Sequence, residues 1–118
     1  MRFKNSIFLF CMAFGVTLST LTSAQNVQLF VRHDVLDYKI WKKGYDDFAL
    51  KQKEGGVYYQ RVYQAVDNPN DVTVIHDFHS IEKAKAFVNS DELKATMKKI
   101  GVKGKPEIWY VRLDKTDK

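Results

Sequence analysis

From residue 27 the chain alternates in Val27-Gln28-Leu29-Phe30-Val31-Arg32, which sets Val27, Leu29 and Val31 on one face of a strand. The period then changes. Tyr38, Trp41, Tyr45 and Phe48 recur at helical spacing, Asp37 stands where a capping oxygen is wanted and Gly55-Gly56 breaks the pattern, so a helix is predicted from Asp37 to about Glu54. Val57 to Val66 is strand-like, rich in Tyr and Val. Asp67-Asn68-Pro69-Asn70-Asp71 has turn chemistry, and Val72 to His79 alternates again with Val72, Val74, His76 and Phe78 on its more apolar face. These two strands should form a hairpin. Ser80 can cap a second helix carrying Ile81, Ala84, Phe87 and Val88. The chain restarts near Asn89-Ser90-Asp91 as a short helix carrying Leu93, Met97 and Ile100, stopped by Gly101. A last strand is predicted from Glu107 to Leu113.

This order, β-α-β-β-α-β, predicts an α+β, ferredoxin-like fold with a four-stranded antiparallel sheet and its helices on one face. The other face would carry Phe30, Ile75 and Tyr110 beside Arg32, Asp77 and Arg112. That mixture is better explained by a second sheet than by open water, so a homodimer is expected. No repeat, low-complexity tract or Pro/Gly-rich linker divides residues 25–118, which read as one domain.

Residues 1–24 read as a signal peptide: Arg2 and Lys4 at the start, an apolar stretch from Ile7 to Val16, then a small polar run ending in Thr22-Ser23-Ala24. The apolar stretch is about half the roughly twenty residues that a bilayer span requires, so no stable membrane insertion is expected after its removal. An exported protein, periplasmic or secreted, is the expectation. Cys11 is the only cysteine and follows Phe10, where a lipoprotein site would want a small residue. Cleavage removes it, and with it thiol chemistry, disulfides and Cys-ligated metals. The net charge of +5 includes Arg2 and Lys4, and what remains is too little to point to nucleic acid.

Val31-Arg32-His33-Asp34-Val35 followed by Asp37-Tyr38, Trp41 and Tyr45 resembles the opening of small dimeric α/β-barrel proteins related to the antibiotic-biosynthesis monooxygenases, a group that includes cyclase-like proteins. Arg61-Val62-Tyr63, Asp67-Asn68-Pro69-Asn70 with Val72, Ser90-Asp91-Glu92-Leu93 with Met97, and Gly101 to Glu107 resemble its later blocks. The resemblance covers nearly all of residues 25–118. It implies a ligand held between sheet and helices, and in the oxygenase and cyclase branches neither metal nor flavin cofactor. In the haem-degrading branch a Trp and a His hold the haem, and Phe87 and Met97 stand at those places here. The Tyr and His of the plant polyketide cyclase branch are also missing from this region.

Three histidines need separate weighing, His being the side chain that titrates near neutrality. His33, at the end of the first strand, is either a proton carrier on a pocket rim or an exposed or locally hydrogen-bonded loop residue. His76 lies on the more apolar face of its strand, as a catalytic group or a satisfied core imidazole. His79, three residues on, faces the other way, so the pair cannot chelate one metal from that strand. Trp41 and Tyr45 are read either as core or as walls for a small apolar or aromatic ligand, with Phe87 and Met97 completing them. Arg61 and Tyr63 share a strand face, where Arg61 could stabilise an enolate or pair with Asp77 on the dimer side. No glycine-rich phosphate loop, HExxH or nucleophile elbow is present. The expected activity is cofactor-independent cyclisation, isomerisation or oxygenation of an enolisable compound, with His33 or His76 as proton carrier and Arg61 and Tyr63 as orienters. The alternatives are a non-catalytic ligand-binding protein and, less favoured, a haem binder with Met97 or a histidine as axial ligand.

Overall fold

Strand β1 (Val27–Val35) runs down the middle of a sheet, flanked by β3 (Asn68–Phe78) and β4 (Val102–Val111), with β2 (Tyr59–Ala65) outside β3. All three pairings are antiparallel. This computed structural model describes residues 26–114; the expected signal peptide lies outside the described residues. Helices α1 (Tyr38–Asp47) and α2 (Ala49–Glu54) connect β1 to β2, and α3 (Ile81–Val88) and α4 (Asp91–Lys99) connect β3 to β4. The expected ferredoxin-like α+β arrangement is therefore present. Among the described residues no helix is long and apolar enough to cross a membrane.

Three of the four helix starts follow from their caps. Asp37, Ser80 and Ser90 each accept a backbone N–H three residues on, from Ile40, Lys83 and Leu93. The expected single helix over 37–54 is instead two, broken at Phe48. The Phe48 N–H is shared between the Gly44 and Tyr45 carbonyls, tightening the turn. Gly56, at φ +108°, then reverses the chain after α2 in a conformation that favours glycine.

Alternation divides the sheet into two faces. Leu29, Val72, Val74, His76 and Phe78 point toward the helices, where two apolar clusters form. One gathers Leu29, Val57, Phe78, Ala84 and Phe87, and the other Val35, Trp41, Tyr45, Val72 and Val74.

The expected strand limits and one expected face need correction. β3 begins at Asn68, so the turn is only Val66-Asp67, and a register shift at Gln64/Ala65 lets Pro69 sit in extended chain at the strand's end. β4 begins at Val102, five residues earlier than expected, because a bulge around Gly104-Lys105-Pro106 hides its first half behind turn-like residues. Register then decides the face: Tyr110 pairs with Leu29 and packs toward the helices, while Trp109 pairs with Phe30. The outer face thus carries a Phe30–Trp109 stack at 5.2 Å, not Tyr110, and Arg112 lies beyond the strand. A one-residue difference in register exchanges the faces of every side chain.

Candidate functional site

Beneath the sheet, between the two clusters, lies a cavity of about 50 Å³. It has room for a few waters and is smaller than ligand pockets usually are. β1 supplies His33, β3 supplies His76, and α1 supplies Trp41 and Tyr45 from adjacent turns of one face. Gln52 of α2, Phe87 of α3 and Thr96 and Met97 of α4 complete its polar and flexible parts. Among the described residues no charged side chain lines it.

The best-defined contact joins α1 to β3. Tyr45 Oη lies 2.7 Å from His76 Nε2, and the same hydroxyl donates to Gln60 Oε1 on β2. A phenol has one proton to give, so this network assigns the proton of the imidazole to Nε2. Nδ1 is then a buried lone pair with no partner among the described residues. The rings of Trp41, Tyr45 and His76 follow one another at centroid separations of 4.9 and 5.9 Å, and Phe87 meets His76 edge-on at 5.6 Å.

His33 is not an exposed loop residue. It is 7% exposed, lies within β1 opposite the β4 bulge, and meets Trp41 edge-on at 5.6 Å. Neither ring nitrogen has a partner among the described residues. Its other side borders a surface hollow lined by Arg32, Asp34, Asp71, Lys103, Lys105 and Glu107.

Burial sets the electrostatics. It pulls His33 down to about 4, against the opposing pull of Asp34 and Asp71, and it pulls His76 down to about 4 as well. It also raises the Tyr45 phenol. At neutral pH the cavity therefore presents uncharged donors and acceptors in an aromatic wall.

Of the residues singled out from the sequence, His33, His76, Trp41, Tyr45, Phe87 and Met97 meet at this cavity. Arg61 and Tyr63 do not. They pair with Ile75 and Thr73 in the β2–β3 ladder and so project from the outer face, where Arg61 binds Asp77 and lies 4.8 Å from the Tyr59 ring centroid. A role for them in orienting a ligand in the cavity is thereby removed. His79 lies apart from His76, stacked on Tyr58 at 4.0 Å. Gln52 and Gln60 escaped the sequence reading. Gln52 carried a signal, since it extends the Trp41, Tyr45, Phe48 stripe by one more turn and is polar where the stripe is apolar.

No protein-family model matches the sequence, and no curated protein matches it. Solved structures do match in fold. A provisionally named antibiotic biosynthesis monooxygenase from Bordetella bronchiseptica superposes with a TM-score of 0.67 at 11% identity, covering 76% of this chain and 98% of that one. Another from Caulobacter crescentus gives 0.63 at 17% identity, covering 78% and 92%. SnoaB, a cofactor-independent oxygenase from Streptomyces nogalater, gives 0.61 at 10% identity, covering 80% and 100%. The described residues therefore have the fold of the antibiotic biosynthesis monooxygenases.

Proposed function

We propose that this chain is an exported protein that binds a small uncharged aromatic or enolisable molecule in the cavity and performs cofactor-independent acid/base chemistry on it. The observation that carries this reading is the Tyr45–His76 contact in a cavity wall without charged residues. The likeness to SnoaB supports the same direction. Export rests on residues 1–24, and the intact mass of the exported form should begin at Gln25.

His76 is the base. Its Nδ1 accepts a proton from an acidic C–H or O–H of the ligand, while Nε2–H stays bonded to Tyr45 Oη and the phenol to Gln60, so the new positive charge is shared along three groups. Burial makes this imidazole about 3 kcal/mol harder to protonate than in water, which restricts it to protons acidified by a carbonyl or an aromatic ring. After rearrangement the His76 imidazolium gives the proton back to another atom of the ligand, and His33, on the neighbouring strand of the same sheet wall, is the alternative proton carrier.

The outer face supports a homodimer. Phe30, Trp109, Ile75 and Tyr63 stand there among the ion pairs Arg32–Asp71 and Arg61–Asp77. A haem macrocycle does not fit the cavity, since its free space is that of a few waters.

The test is exchange of the α-protons of acetone, an uncharged enolisable ketone small enough for the cavity, with D2O, followed by proton NMR. The protein should accelerate exchange, and His76→Gln should abolish the acceleration. Binding without acceleration would leave the ligand-binding alternative, which the low basicity of both imidazoles also favours.

A further inference from the structure

Gln52 is 2% exposed, and its Oε1 has no hydrogen-bond partner among the described residues. It faces the cavity on one side. On the other it borders a surface groove of about 640 Å³ between α2 and the start of β2, walled by Ala49, Val57, Tyr58, Tyr59 and Gln60. Gln60 lies on this groove and accepts the phenol proton of Tyr45, which lies on the cavity. The partition between the two hollows is therefore built from hydrogen-bonding groups, one of them unsatisfied. Packing alone would favour an apolar residue at position 52, because an unpaired buried amide costs stability.

The volumes point the same way. A cavity of about 50 Å³ holds little more than the reacting end of a molecule, whereas the groove has the volume of a ligand site but is open to solvent. Neither suffices alone. We propose that the cavity and the groove are two ends of one ligand site, with Gln52 as a movable partition. The ligand is an uncharged amphipathic molecule whose compact hydroxylated or carbonyl head enters the cavity. Its apolar tail lies along Val57, Tyr58 and Tyr59, and the Gln52 amide bonds its polar group at the junction. Among the described residues Lys53 is the one charged side chain that borders the groove, and none borders the cavity, so a charged head would find no counterion there. This deepens the preceding reading and rests on the cavity being a ligand site.

The probes are phenol, 4-butylphenol and 4-hexylphenol, titrated into the isotopically labelled protein and followed by NMR. Phenol should shift the Trp41 indole N–H. Lengthening the chain should tighten Kd several-fold per pair of methylenes and extend the shifts to the Tyr58 and Tyr59 amides. Gln52→Leu should weaken 4-hexylphenol about tenfold more than hexylbenzene. Ala49→Trp, which fills the groove from an exposed position, should abolish the gain with chain length, and it decides the matter if Gln52→Leu does not fold. A Trp41 shift with no gain from chain length and silent groove amides would overturn the joined site and leave the cavity reading standing. No Trp41 shift with any probe would overturn both.

Discussion

The phenol of Tyr45 meets Nε2 of His76 at 2.7 Å and so ties the first helix to the central strand pair through the wall of the cavity. The bond matters for stability as well as chemistry, because both groups are buried and the hydroxyl also serves Gln60. Tyr45→Phe keeps the ring in its stack on Trp41 but strands the imidazole N–H. It should cost about 1–3 kcal/mol in urea unfolding. Gln60→Leu, at an exposed position, should cost less than Tyr45→Phe, since Tyr45 keeps its bond to His76.

Acid should destabilise the fold well above the range in which carboxylates titrate. His33 and His76 are held near 4 when folded and return to about 6.5 when unfolded. Between those values the unfolded chain binds more protons, so stability is full above about pH 6.5 and falls as pH drops toward 4. The loss is at most about 3 kcal/mol per histidine. Asp71, held low by Arg32, stays charged through this window and adds its loss only at lower pH. Denaturant titrations at pH 7, 5.5 and 4.5 should show the decline, and His33→Phe should remove about half of its slope. A flat profile would mean that the imidazoles reach solvent.

How much of this was legible in the sequence depends on what each feature needed. Helical spacing alone brought Trp41 and Tyr45 to one face, strand alternation put His76 opposite them, and the three capping residues marked the helix starts. Arg61 and Tyr63 were different. Their alternation is plain, but the face they occupy depends on the β2–β3 register, which a two-residue turn and a register shift at Gln64/Ala65 determine. Tyr110 and Trp109 exchanged places for the same reason, since β4 reaches β1 across a bulge. Gln52 was visible as a polar residue in an apolar stripe, but the hollow on its far side arises only when α2 packs beside β2.

The outer face should behave as an interface between two copies. Trp109 is 42% exposed and stacks on Phe30, an arrangement that leaves aromatic area in water unless another surface covers it. The protein should migrate as a dimer in native mass spectrometry. Trp109→Glu, which plants a charge in that area without touching the helix-side core, should shift it to monomer and leave the cavity's ligand shifts in place. A monomeric parent at micromolar concentration would sink the interface.

Gly44 offers a test in which helix propensity and packing predict opposite signs. It sits inside α1, where alanine is ordinarily worth about 1 kcal/mol over glycine. Here a Cβ would collide with Ile100 Cγ2 and come within 2.9 Å of Ile100 Cβ, at the end of α4. Neither atom is the free end of a flexible chain, so α1 and α4 would have to separate at the cavity edge that Ile100 lines. Gly44→Ala should therefore destabilise by about 1–3 kcal/mol, as overpacking does. Ile100→Ala also costs stability by itself, but it makes the room that Gly44→Ala needs. In that background the glycine substitution should turn neutral or stabilising, giving a coupling of about 1–3 kcal/mol in a double-mutant cycle. Additive effects would show that the two helices do not meet at this glycine in solution.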